Sequence, residues 1–107
     1  MADDEIELNK GSDKKFSIEW EETDEAGNIG PMDLTGGIVS IFDAHTALDG
    51  HLIATLDPDP TTGLIHFRLN WNTSMPKGRV MWFRAKVTFP DDDNFDETSL
   101  PIWVLVK

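Results

Sequence analysis

The sequence predicts an all-β protein, a single antiparallel two-sheet sandwich of about seven strands, and three observations carry that expectation. Short apolar runs alternate at period two, as a strand with one buried face requires. Gly, Pro, Asn and Asp turns separate them at short intervals over 107 residues. No helical periodicity competes with them, since the longest early stretch free of Gly and Pro, residues 12–26, alternates wherever it is apolar. Strands spaced in this way favour two packed sheets, with a small barrel as the competing architecture. The length allows one domain and one core. Residues 1–8 read as an acidic arm with a short first strand, and residues 9–107 as the sandwich domain.

The elements follow in order. Ile6 and Leu8 mark the first strand, closed by the turn-prone Asn9-Lys10-Gly11-Ser12-Asp13. The first five residues are expected to be mobile unless a neighbour orders them. Phe16, Ile18 and Trp20 share one face of a second strand over residues 15–21. Residues 21–31 form a loop punctuated by Gly27-Asn28 and Gly30-Pro31. Residues 38–42 are apolar in both phases, which predicts a central strand covered on both sides. A connector over 43–50 leads to a fourth strand at 51–56. Asp57-Pro58-Asp59-Pro60 then forces a turn, because each proline fixes φ and biases its predecessor toward extended backbone. Ile65, Phe67 and Leu69 alternate in a fifth strand. After a loop over 71–78, a long strand at 79–89 and a last strand at 100–106 flank an acidic loop at 90–97.

The two C-terminal strands carry most of the functional content. Met81, Phe83, Ala85, Val87 and Phe89 alternate with Val80, Trp82, Arg84, Lys86 and Thr88, so one face points inward. The last strand is apolar in both phases, which predicts that something outside the domain covers it. With Ile102, Val104 and Val106 inward, Trp82, Trp103 and Leu105 share an outward surface, the kind of patch that marks association sites. A one-residue slip would instead bury both tryptophans. Ile6 and Leu8 join this partner-binding set, because an acidic arm can add to a neighbour's open sheet edge.

Composition narrows the function classes. Hydrophobic content of 39% and charged content of 27% fit a folded soluble chain. Twenty acidic against nine basic residues, a net charge of −11, argue against nucleic acid and anionic membranes as partners. No apolar stretch approaches the ~18 residues of a membrane helix. The N-terminal run lacks the basic and apolar regions of a signal peptide, and cysteine is absent, which together predict assembly in a reducing cytoplasm.

Candidate chemistry is thin. Asp91, Asp92, Asp93, Asn94, Asp96 and Glu97 crowd one loop, yet their spacing departs from the calcium-loop pattern and no glycine supplies its turn. A solvated hairpin tip is the expectation. His45, His51 and His66 show no zinc-ligand spacing. No nucleophile-elbow motif marks a serine, and Gly36-Gly37 opens a strand rather than a phosphate-cradling helix. Asn72-Thr73-Ser74 fits the glycosylation pattern, which matters only in a secretory pathway. The sequence therefore predicts no enzyme, no metal and no cofactor.

One series of features has a family likeness. It runs from Phe16-Ser17-Ile18-Glu19-Trp20 through an acidic, glycine-bearing loop to Asp33-Leu34-Thr35-Gly36. Gly63-Leu64-Ile65-His66-Phe67 follows, then Lys77-Gly78-Arg79-Val80 before a long strand and a final apolar one. Over about 90 residues this resembles small immunoglobulin-like modules of tailed-bacteriophage virions, including the N-terminal domain type of baseplate upper proteins. It departs in having Trp82-Phe83-Arg84 where those modules often carry Tyr-Asp, and Ser99-Leu100-Pro101 where they tend to have a turn glycine. The resemblance implies an immunoglobulin-like sandwich acting as a non-enzymatic structural subunit in a baseplate, neck, fibre-anchoring or capsid-decorating position. Its partners would be other virion proteins and copies of itself in a homo-oligomer. The alternative is a carbohydrate- or peptide-binding sandwich using Trp71, Trp82 or Trp103.

Overall fold

The inward alternation read from the sequence organises a computed structural model that describes residues 4–91, 95–99 and 101–107. The fold is all-β, with ten strands among the described residues: β1 Asp4–Leu8, β2 Lys14–Glu19, β3 Glu21–Thr23, β4 Ile29–Pro31, β5 Ile38–Ala44, β6 Leu52–Leu56, β7 Leu64–Leu69, β8 Gly78–Phe89, β9 Phe95–Thr98 and β10 Ile102–Val106. Five strands form one sheet in the order β1-β10-β8-β5, with β9 also on β8. Three form a second in the order β2-β7-β6, and β3 and β4 make a separate hairpin.

Seven strands become ten for two local reasons. In residues 21–31 the Asp24 carboxylate accepts the N–H groups of Ala26 and Asn28, both at 2.9 Å, and Gly27 turns the chain at φ 86°. That side-chain cap closes a hairpin with no apolar alternation to announce it. Near the C-terminus β8 outruns β10, which pairs with Gly78–Phe83, so β9 takes the Lys86–Phe89 stretch. Ser99 joins the two partners: its N–H donates to the Ala85 carbonyl at 2.8 Å, and its hydroxyl accepts the Ala85 N–H at 2.9 Å.

The core takes the inward phase expected of the last two strands. Met81, Phe83, Ala85 and Val87 from β8 and Ile102, Val104 and Val106 from β10 are buried, facing Ile65, Phe67 and Leu69 of β7. Phe16, Phe67 and Phe83 form an aromatic cluster linking the two larger sheets. The Phe16–Phe67 rings stack at 5.0 Å, and Phe83 lies 5.4 Å from Phe67 and 6.2 Å from Phe16. Trp20, also buried, follows β2. Its N–H donates to the Gly63 carbonyl at 2.7 Å and its own carbonyl accepts the Met32 N–H at 2.8 Å. A Cβ on Gly63, whose φ is 70°, would sit 2.5 Å from that Trp20 carbonyl oxygen, so only glycine fits there.

Two expectations are corrected. The strand at 38–44 is an edge of its sheet rather than a covered centre, with Ile38 59% and Phe42 48% exposed on its outer side. The N-terminal arm completes its own sheet instead of reaching for a neighbour's edge. β1 pairs in parallel with β10, Asp4 opposite Ile102 through Leu8 opposite Val106, and buries Ile6 and Leu8. Apolar side chains at alternate positions and a free β10 edge within reach favour closure on the same chain. The expected mobility of the first residues falls partly on 1–3, which lie outside the described residues, while Asp4 and Glu5 belong to β1.

Three turn carboxylates are tied to local donors. Asp24 is held below the usual 3.8 chiefly by the Asn28 backbone N–H, Asp33 by the Thr35 hydroxyl, and Asp57 by the Asp59 backbone N–H, with His66 second. Each is a stronger acid in the folded chain than in the unfolded one. Its contribution is therefore complete above 3.8 and disappears as pH falls through the lowered folded value. The melting temperature should fall as pH drops below 3.8, and Asp24→Ala should flatten that fall. An unchanged acid limb in the variant would remove Asp24 from this account.

Candidate functional site

Alternation along β8 and β10 carries a second set of side chains to the opposite side of the five-stranded sheet. Trp82 and Trp103 are direct cross-strand partners there, both half-buried, with Leu105 two residues along β10. The structure thus brings together three of the five expected partner-binding residues. Ile6 and Leu8 leave the set, because both are enclosed in the domain's own core.

Two β-bulges enlarge the face. The register between β10 and β8 shifts between Val104 and Leu105, and that between β5 and β8 shifts between Ile41 and Asp43. A bulge places two consecutive side chains toward one side. Arg79 joins Val80 on the outer face, and Phe42 joins Asp43. Among the described residues, five large apolar side chains are strongly exposed, and Ile38, Phe42 and Val80 of this face are three of them. Val80 was already in the outward phase of the alternation, whereas the outward turn of Phe42 and Arg79 was not legible, because a bulge carries no hydrophobic signature. Ile38 and Phe42 did leave a trace, the two-phase apolarity of residues 38–42.

Cations are layered on the aromatic rings. The Arg79 guanidinium lies 4.7 Å from the Trp103 ring centroid, and its Nε donates to Glu5 of β1 at 3.2 Å. Glu5 is the β1 partner of Trp103, so this ion pair bridges across β10 above the indole. Lys107, just past β10, pairs with Glu7 of β1 at 3.0 Å. On the other flank, Arg84 and Lys86 approach the Phe42 ring at 5.5 and 5.3 Å, and Arg84 also donates to the Ser99 carbonyl at 3.1 Å. The chain's own charged side chains therefore shield part of the two-sided last strand. What is left is an aromatic strip with cations stacked on it and carboxylates at its rim. Cation–π contacts of this kind contribute about 0.5–1 kcal/mol each at exposed sites.

The histidines do not converge. His45 accepts the Ala47 N–H and caps a short 3₁₀ turn, and His51 Nε2 meets the Asn72 amide at 2.9 Å. His66 stands between Asp57, 2.6 Å from Nε2, and Ser17, 2.5 Å from Nδ1. Sequence spacing gave no hint of this Ser–His–Asp row: β2–β7 register sets Ser17 against His66, and the turn after β6 brings Asp57 to the other ring nitrogen. It lies on an open sheet face rather than in a cleft. Among the described residues, no three His, Asp or Glu side chains gather as a metal-binding group. The acidic loop centres on residues 92–94, outside the described residues. Trp71 packs against the core, away from the aromatic face, while its backbone N–H donates to Asp13 at 2.8 Å. Among the described residues, no helix is long and apolar enough to cross a membrane. Comparison with protein-family models, curated proteins and solved structures finds no match to this chain.

Proposed function

We propose that this chain is an immunoglobulin-like two-sheet sandwich that works by protein–protein association, as a non-enzymatic structural subunit of a tailed-phage virion. The strand orders β1-β10-β8-β5 and β2-β7-β6, with the first strand parallel to the last, support the sandwich reading. The virion assignment draws on the resemblance of the segments between Phe16 and Val106 to phage modules. The observation that carries association is the outward Trp82–Trp103 pair, extended by Leu105, Val80, Phe42 and Ile38.

Magnitudes favour this face as an interface. Twelve residues of β8 at ~3.3 Å, crossed by three to four strands at ~4.8 Å, give a footprint of roughly 600–750 Å². That approaches the ~800 Å² per partner of a stable complex. Tryptophan and arginine, the residue types that dominate interface energetics, stand at its centre. Copies of the chain are the first partner, since a symmetric oligomer covers the face in every subunit at once.

The test is mass by light scattering behind a sizing column for wild type and Trp103→Asp. A wild-type multimer that becomes a monomer with unchanged circular dichroism is the expected result. A multimer unaffected by the substitution, or a wild-type monomer, would count against self-association through Trp103.

A further inference from the structure

The three-stranded sheet has its own outer face, unrelated to the tryptophans. Across it Lys15 of β2 stands opposite Arg68 of β7, which stands opposite Ile53 of β6. In the next row Ser17, His66 and Thr55 line up in the same order. These six side chains, all but His66 exposed, frame a shallow, open depression of about 600 Å³.

Like charges directly opposite one another on a sheet are unfavourable. Yet neither Lys15 nor Arg68 ion-pairs with a described carboxylate, in a chain with twenty acidic residues. Among the described residues Arg79 and Lys107 are the only Lys or Arg side chains that do, so what sets Lys15 and Arg68 apart is their direct juxtaposition across the ladder. Two uncompensated cations thus share a cavity with a hydroxyl row. Asp57, held ionised by the Asp59 backbone N–H and by His66, accepts a hydrogen bond from the His66 Nε2–H. In that tautomer Nδ1 accepts from the Ser17 hydroxyl, whose oxygen keeps its own acceptor capacity for a ligand. Ile53, 53% exposed, adds an apolar shelf at the edge.

We infer that this face binds a carboxylated saccharide. The Arg68 fork and the Lys15 ammonium match a ring carboxylate. The Ser17 and Thr55 oxygens accept sugar hydroxyls, and Ile53 meets the C–H face of the ring. A peptide fits less well: β7 is hydrogen-bonded on both sides, so peptide amides laid on this face would lose water without replacement. The net charge of −11 does not forbid an anionic ligand, because distant carboxylates are screened beyond a Debye length of ~10 Å at 0.1 M salt.

The test is NMR titration of the intact chain with trigalacturonic acid, its methyl ester and acetate. Trigalacturonate should give saturable shifts centred on Lys15, Ser17, Thr55, His66 and Arg68, with millimolar affinity or better. The methyl ester and Arg68→Gln should each weaken binding at least ~10-fold, as loss of a charge-assisted pair implies. Trp103→Asp should bind like wild type, which separates this site from the association face. Should Arg68→Gln fail to fold, Lys15→Gln gives the same comparison. Absence of saturation, equal binding of the methyl ester or of the charge-removed variant, or shifts centred on Trp82 and Trp103 would overturn the inference. Acetate binding as strongly as the saccharide would reduce the face to an anion patch and overturn it equally.

Discussion

Phe83→Ala is expected to destabilise the fold by about 3–5 kcal/mol, the usual range for removing a buried phenylalanine. Total stability for a domain of this kind is only about 5–15 kcal/mol. Phe83 is fully buried and contacts both Phe16 and Phe67, so its ring is a principal link between the two larger sheets. It also sits where β8 is paired on both edges, opposite Ile102 of β10 and Ala44 of β5. Backbone fixed from both sides cannot move in to fill the space, which places the cost toward the upper end. Urea unfolding measures it through the midpoint at unchanged slope. A loss under about 1 kcal/mol would mean that the sheets hold together without this ring.

Deleting residues 1–8 is the second large expected effect. Burial of Ile6 and Leu8 contributes about 1.5–3 kcal/mol each, so removing both costs about 3–6 kcal/mol. The deletion also breaks the parallel ladder along β10 and the bond from the Lys107 N–H to the Leu8 carbonyl, 3.0 Å long. A bare β10 edge, apolar on both faces, then becomes a template for pairing with other chains. The truncated chain should show a lower urea midpoint and concentration-dependent aggregation. Wild-type stability and a clean monomer after truncation would make β1 dispensable and reopen the arm for a role outside its own domain.

The positions at which the sequence proved legible share one property: a strand buried on one side. Met81, Phe83 and Val87, like Ile102, Val104 and Val106, point inward as their alternation requires, and with that phase fixed Trp82 and Trp103 had to face out. Legibility failed where hydrogen bonding rather than burial shapes the chain. The β3–β4 hairpin rests on the Asp24 carboxylate and Gly27, features shared with ordinary loops. The edge position of β5 escapes the sequence because Ile38 and Phe42 are apolar yet exposed, and an apolar strand reads the same whether it is covered or open. The Ser17–His66 contact and the Lys15–Arg68 pair depend on register between strands some fifty residues apart, which no local pattern encodes; Asp57 reaches His66 from the turn between β6 and β7.

The parallel pairing of β1 with β10 also has a mechanical meaning. The two strands run side by side in the same direction, Asp4 next to Ile102 and Leu8 next to Val106. A pull on residue 4 against residue 107 draws the strands past each other along their length. All the bonds of that ladder are then strained together, whereas an antiparallel pair held at one end opens one bond at a time. The same few hydrogen bonds that close the sheet therefore act as a shear clamp, and resistance to a lengthwise pull depends on how slowly that clamp lets go.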